Sequence, residues 1–237
     1  LARVLLAGMR RARVVFHSTL AVRDEILEHR LVPEERLVHV PYGVANEFTP
    51  APSELDEALK GRPPFLLHVG SLIPRKNPEF LLRVMAEVCK AAPEIEIVQV
   101  GGRWTREQQS FLDERGIAAR VRQFERLGRE DLAPYYRAAK AVLLPSTAEG
   151  FGLPVVEALA CGTPVVASDI PVLAQVGGDA TVLCPVNDLR AWTGAVLDLL
   201  AGRGPSREAC LRIAAKYTWK EHANTIVRTY SALASAK

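Results

Sequence analysis

Two carboxylates, Glu149 and Glu157, have seven residues between them: the turn Gly150-Phe151-Gly152 and the run Leu153-Pro154-Val155-Val156. An apolar stretch, Ala141-Val142-Leu143-Leu144, leads in, and a helix opening on Pro154 leads out. Backbone amides at a strand-to-helix junction attract anions. A carboxylate on either side is a good acceptor for the hydroxyls of a sugar or a ribose. Gly152 lets the backbone approach a ligand closely. A diphosphate with a polyol at each end is the outline of a nucleotide-sugar. Taken singly, Glu149 would be a solvated loop residue and Glu157 a helix decoration.

A second constellation supplies the opposite charge. Gly70-Ser71-Leu72-Ile73-Pro74-Arg75-Lys76-Asn77-Pro78 follows the apolar run at 65–69 and opens a helix, with Asn77 expected as its N-cap. Breaking a sugar–phosphate bond leaves a diphosphate whose charge grows in the transition state. Enzymes answer with a metal or with fixed cations. No Asp-x-Asp pair occurs in the chain, so Arg75 and Lys76 are the expected stabilisers and no metal site is expected. Cations at a helix start are unfavourable unless an anion is due there.

The remaining reactive side chains carry less. Residues 121–128 read as a strand and the loop that follows it. His68 falls in a central strand and reads as a packed core residue. His17, His29, His39 and His222 show no metal or triad spacing. Cys89, Cys161, Cys184 and Cys210 are scattered in apolar surroundings and read as reduced core residues, which fits a cytoplasmic protein.

The elements that must hold these groups follow from a regular alternation. Apolar runs at 65–69, 95–100, 120–124, 141–144, 164–167 and 181–184 read as strands. Helical patterns at 77–91, 104–116, 129–139, 154–161 and 170–176 separate them, and three more follow at 188–201, 206–217 and 219–235. Such alternation implies a Rossmann-like α/β fold, a parallel sheet with helices on both faces. Ahead of it, residues 12–16 and 37–40 read as strands, 20–31 as an amphipathic helix, and the proline-rich stretch 50–64 as a linker. Pro154 suits a first helical position, and Gly162 suits the cap that closes the same helix.

Bulk properties agree with an ordinary globular chain. Of 237 residues, 49% are hydrophobic and 24% charged, and the net charge is +3. Roughly 70–75% of the unfolded surface is buried at this size. The charge is too small to argue for nucleic acid. Arg10, Arg11 and Arg13 form a basic cluster, read as a solvated face, with a peripheral contact at an inner membrane face as the other reading. No apolar run is long enough to span a bilayer.

The segment Pro145-Ser146 through Glu157-Ala158 resembles the E-x7-E signature of family 4 of the retaining glycosyltransferases, whose fold is called GT-B. Val40-Pro41-Tyr42-Gly43-Val44 with Phe48-Thr49-Pro50 is similar to that family's hinge approach, with Tyr42 in place of the usual Asn. Pro74-Arg75-Lys76-Asn77 is similar to its "PRKN" variant, with Ser71 where many members place an Arg. Glu125 stands where the base-facing loop usually has glycine, and Tyr217-Thr218-Trp219 resembles the entry to the last helix.

The resemblance implies hexosyl transfer with retention from a nucleotide-diphosphate sugar, GDP- or UDP-linked with a lean towards GDP-mannose, to an acceptor hydroxyl. No cofactor is implied. Arg75, Lys76 and Glu149 would act on the reacting group. Gly70, Ser71, Leu127, Gly150, Phe151, Gly152, Leu153 and Glu157 would bind the donor. It also implies three parts: residues 1–50 from an N-terminal acceptor domain with its hinge, 51–218 as the donor-binding domain, and 219–237 as a helix crossing back. The chain starts at Leu1, so most of the acceptor domain is expected elsewhere, and with it the contact to a glycan or lipid-linked glycan. On that reading the isolated chain binds donor but transfers little. Two alternatives stand beside it. One is a non-catalytic nucleotide-sugar-binding subunit. The other is an oxidoreductase, in which Gly150-x-Gly152-x-x-Val155 with Asp169 would mimic a dinucleotide fingerprint.

Overall fold

A computed structural model describes residues 2–235. Leu1 and residues 236–237, which the expected three-part division includes, lie outside the described residues. The chain opens with helix α1 (Ala2–Arg11), strand β1 (Val15–His17), helix α2 (Leu20–Glu28) and strand β2 (Leu37–His39). β1 and β2 pair in parallel, Val15 opposite Leu37, as a two-stranded sheet. Thr19 caps α2, its hydroxyl accepting from the Val22 amide at 3.3 Å. Helix α1 lies outside the expected elements. Its Val4 and Leu5 face solvent.

The larger sheet runs from β3 (Phe65–Val69) through β4 (Glu96–Val100), β5 (Val121–Phe124), β6 (Ala141–Leu144) and β7 (Val165–Ser168) to β8 (Thr181–Cys184). All six are parallel, in the spatial order β5-β4-β3-β6-β7-β8. The connecting helices are α3 (Pro78–Ala91), α4 (Arg106–Glu114), α5 (Arg129–Ala138), α6 (Leu153–Ala160) and α7 (Pro171–Gly177). Three more follow: α8 (Leu189–Leu200), α9 (Arg207–Ala214) and α10 (Trp219–Ser235). The expected α/β architecture with helices on both faces is therefore the observed one.

Strand pleating divides the core in two. Leu66, Ile97, Leu143 and Val166 face α3, α4 and α8, with Trp192 and Phe80 filling that layer. Leu67, Val98, Val142, Leu144 and Val165 face α5, α6 and α9. The side chains alternate because successive strand residues point to opposite faces. Both faces are covered, so the strands read as continuous apolar runs. All four cysteines are free and buried. Burial pushes their thiols up, Cys161 to about 12 and Cys184 and Cys210 to about 11.

Three expectations need correction. Asn77 stands at the expected N-cap of α3, but its side chain makes no capping bond. It takes the left-handed conformation at φ 57°, and its Nδ2 donates to Asn187 Oδ1 at 2.8 Å. The backbone has to reverse there between the 3-10 turn Pro74–Lys76 and α3, and Asn tolerates that conformation. Helix α6 starts one residue early, at Leu153, which puts Pro154 at its second position. The linker stretch is partly ordered: Glu54–Leu59 forms a 3-10 helix behind a Ser53–Asp56 capping box. Asp56 also holds Arg137 of α5, with Nη2 to Oδ2 at 2.6 Å and Nε to Oδ1 at 2.9 Å. Gly162 does close α6, with φ 79° and its amide bonded to Leu159 O.

Candidate active site

In an open parallel sheet the strand order reverses at one point, and the loops beyond the strand ends splay apart there to leave a crevice. That point lies between β3 and β6. The loop after β3 carries Gly70 to Asn77, and the loop after β6 carries Pro145 to Gly152. The two constellations singled out from the sequence therefore face each other across the reversal.

They also touch. Lys76 Nζ lies 2.5 Å from Glu149 Oε1, and Arg75 Nη1 lies 3.3 Å from Glu149 Oε2. Ser146, fully buried, donates its hydroxyl to Glu149 Oε1 at 2.8 Å. The loops are joined by backbone as well, with Thr147 N donating to Arg75 O at 2.8 Å and Arg75 Nη1 to Ala148 O at 3.2 Å. Lys76 and Glu149 are almost sealed, at 11% and 6% side-chain exposure, whereas Arg75 is half exposed. One carboxylate meets two cations, so the cluster carries a surplus positive charge. A buried ion pair of this kind loses much of its Coulomb gain to desolvation. Separating the pair leaves a buried charge uncompensated, so an incoming anion has to replace Glu149 as the partner of the two cations.

Beneath the cluster lies His68, 1% exposed. Its Nδ1 sits 2.9 Å from Leu143 O. A carbonyl only accepts, so Nδ1 carries the proton and Nε2 is a bare acceptor. That Nε2 is buried and has no partner among the described residues. Burial, opposed by the Leu143 bond and assisted by Lys76, lowers the His68 pKa to about 4. The ring is neutral and leaves the positive charge to Arg75 and Lys76.

Gln99, a fully buried strand residue, ties the loop down by donating to Gly70 O at 3.2 Å. Gln123 donates to Gln99 Oε1 at 2.8 Å, and Trp104 N donates to Gln123 Oε1 at 3.2 Å. This chain of donors runs from the β4 loop across two strands to Gly70. Ser71 is exposed beside it.

On the other side, Gly150 is exposed and Phe151 is buried among Tyr42 and Tyr217, ring centroids at 5.2 and 5.6 Å. Gly152 caps α6 with φ 88°, and a Cβ there would sit 2.7 Å from Leu173 Cδ2. The protein's own packing thus requires this glycine, before any ligand is considered. Leu153 is partly exposed at the helix start.

Glu157 does not join the cation cluster. Its Oε2 accepts from the hydroxyl of the fully buried Tyr136 at 2.7 Å. Burial raises the Glu157 pKa, while the Tyr136 bond and Arg129 pull it back down. Leu127 is half-buried against the core, beside α5. Glu125, in the same loop, pairs with Arg103. From the first fifty residues, Ser18 reaches the signature turn, its hydroxyl donating to Gly150 O at 3.1 Å. Ser146, Tyr136, Gln99, His68 and Ser18 thus join the groups that the sequence singles out. Only Ser146 stood inside a quoted motif.

A family profile described as glycosyl transferases group 1 matches residues 54–217. The chain belongs to that family. It is 33% identical over 235 residues to a D-inositol 3-phosphate glycosyltransferase of Thermobispora bispora, covering 90% of this chain and 54% of that protein. The chain therefore spans about half the length of the curated relatives it matches. Among solved structures, a sucrose-phosphate synthase from Thermosynechococcus elongatus superposes with a TM-score of 0.84 at 25% identity, over 99% of this chain and 62% of the other. An Anabaena protein, HepE, solved with UDP and glucose, superposes with a TM-score of 0.83 at 19% identity, over 98% of this chain and 66% of the other. The latter likeness is one of fold alone.

Membership of the group 1 glycosyl transferases replaces the dinucleotide reading. The glycine turn follows the fourth strand of the large sheet, not its first, and the Asp169 backbone is engaged with Cys184 O at 2.8 Å. Among the described residues no helix is long and apolar enough to cross a membrane, and no three His, Cys, Asp or Glu side chains gather as for a metal ion.

Proposed function

We propose that this chain is the donor-binding part of a retaining hexosyltransferase that takes its sugar from a GDP- or UDP-linked donor. The observation that carries the reading is the meeting of Arg75 and Lys76, from one side of the sheet reversal, with Glu149 from the other. A diphosphate entering the crevice takes the two cations from Glu149. The freed carboxylate then accepts hydroxyls of the hexose. Glu157 takes the ribose, Leu127 lies against the base, and Gly70, Ser71 and residues 150–153 present backbone to the phosphates.

In the reaction the bond between the anomeric carbon and the phosphate oxygen breaks, and the acceptor oxygen bonds to that carbon on the same face. The acceptor proton passes to a phosphate oxygen of the departing nucleoside diphosphate. Arg75 and Lys76 hold the charge that builds there, and no metal is required. A separate lobe supplies the acceptor, a glycan or lipid-linked glycan. The inositol phosphate named in the relatives adds a phosphorylated cyclitol to the acceptors worth testing. Residues 1–50 and 219–237 belong with that lobe: α10 packs on it through Tyr230 against Phe16, ring centroids at 6.0 Å, and through His222 to Pro41 O at 2.9 Å. The basic end of α1 suits a peripheral contact with anionic lipid on the cytoplasmic side.

Calorimetry of this chain with UDP, GDP and ADP, with and without a chelator, tests the reading. One of the first two should bind in the micromolar range, unchanged by the chelator and weakened at least tenfold by Lys76→Ala. No binding of any of the three at millimolar concentration would overturn it.

A further inference from the structure

Both carboxylates of the signature lean on a buried hydroxyl: Glu149 on Ser146, Glu157 on Tyr136. The second pairing carries more than packing. Tyr136 is held at both ends. Its carbonyl accepts from Thr163 Oγ1 at 2.5 Å, and Phe48 packs edge-on to its ring with centroids 5.4 Å apart. Burial first, then the neighbouring Glu157 carboxylate, pushes the phenol pKa far above its ordinary value, so its proton stays on oxygen and is donated.

The two oxygens of Glu157 then differ. Oε2 is tied inward to Tyr136 at 2.7 Å. Oε1 accepts no hydrogen bond among the described residues, and Glu157 is only partly buried. A Glu side chain loses rotamer freedom when it is fixed. Here that ordering is complete before a ligand arrives, which is how preorganisation raises affinity.

We infer that Tyr136 is a positioning residue that turns one oxygen of Glu157 outward and so makes the site selective for nucleotides with vicinal ribose hydroxyls. The inference rests on the ribose role proposed for Glu157. An outward carboxylate oxygen has two lone pairs and accepts from two adjacent hydroxyls. A bound nucleotide that lacks those hydroxyls covers the oxygen without pairing it, and is disfavoured for that reason.

The test is calorimetry with whichever of UDP and GDP binds, against its 2′,3′-dideoxy analogue. Wild type should prefer the ribonucleotide at least tenfold. Equal affinities would end the ribose role itself, whatever Tyr136 does. In Tyr136→Phe, which keeps the ring, ribonucleotide affinity should fall about tenfold while the dideoxy analogue binds as before. Equal losses for both ligands would make Tyr136 structural only and overturn the inference, as would no loss for either. Should Tyr136→Phe not fold, Glu157→Asp takes its place, leaving the core tyrosine intact with a side chain one methylene too short to span Tyr136 and a ribose. Undiminished ribose selectivity in that variant would also overturn the inference.

Discussion

Lys76 is the residue on which the chemistry leans hardest. It is nearly sealed and touches Glu149 at 2.5 Å, and in the proposed reaction it holds charge on the departing diphosphate. In an assay with acceptor and a complete acceptor-binding lobe, Lys76→Ala should lower kcat by about 10²–10³, the usual loss for one preorganised charge stabiliser. A loss under threefold would remove it from the mechanism. Ser146→Ala should act through Glu149 and weaken donor binding about tenfold, the worth of one hydrogen bond to a charged group. Unaltered donor affinity in that variant would show that Glu149 needs no such support. Arg75, Lys76 and Glu149 were singled out from strand-ending loops together with a family resemblance, and the structure does bring these three side chains into contact. Tyr136 and Ser146 were not singled out. A hydroxyl that meets a carboxylate only through tertiary packing leaves no periodic mark.

At the scale of the element, the strands were the easiest part to read. β3, β6 and β8 fall on the expected residues because strands covered on both faces are unbroken apolar runs. Helix α1 was not among the expected elements although its sequence is amphipathic, and its Val4 and Leu5 meet solvent. Asn77 does hold the expected N-cap position before Pro78, but the backbone reversal leaves its side chain without a capping bond. The loops between elements are fitted more closely than composition suggests. A Cβ on Gly101, at φ 117°, would fall 2.6 Å from Gly70 O. Gly101→Ala should therefore cost about 2 kcal/mol, within the range for a strained backbone, and displace Gly70 from the crevice. Denaturant titration and nucleotide binding should both register it. Gly61→Ala, at φ 73° with nothing within 4 Å, is the control. Equal behaviour of the two variants would show that only backbone strain matters at Gly101.

For the whole molecule, the Asp56–Arg137 pair fastens the stretch before β3 to α5. Arg137, chiefly, holds the Asp56 carboxyl far below the usual carboxylate range. A depressed pKa adds stability above the unfolded value of about 4, and that stability is lost as pH falls through the folded value. Arg137→Ala should lower stability at neutral pH by about 2 kcal/mol and flatten the decline below pH 4. An acid titration of the variant with wild-type slope would contradict this. The sealed thiols have a practical outcome on the same scale. With a pKa of about 12 at Cys161, roughly one molecule in 10⁵ is ionised there at pH 7. A single cysteine introduced at exposed Ala148 would be the fast-reacting one. A dye on it would then report loop and lobe movement without first stripping the native sulfur from the chain.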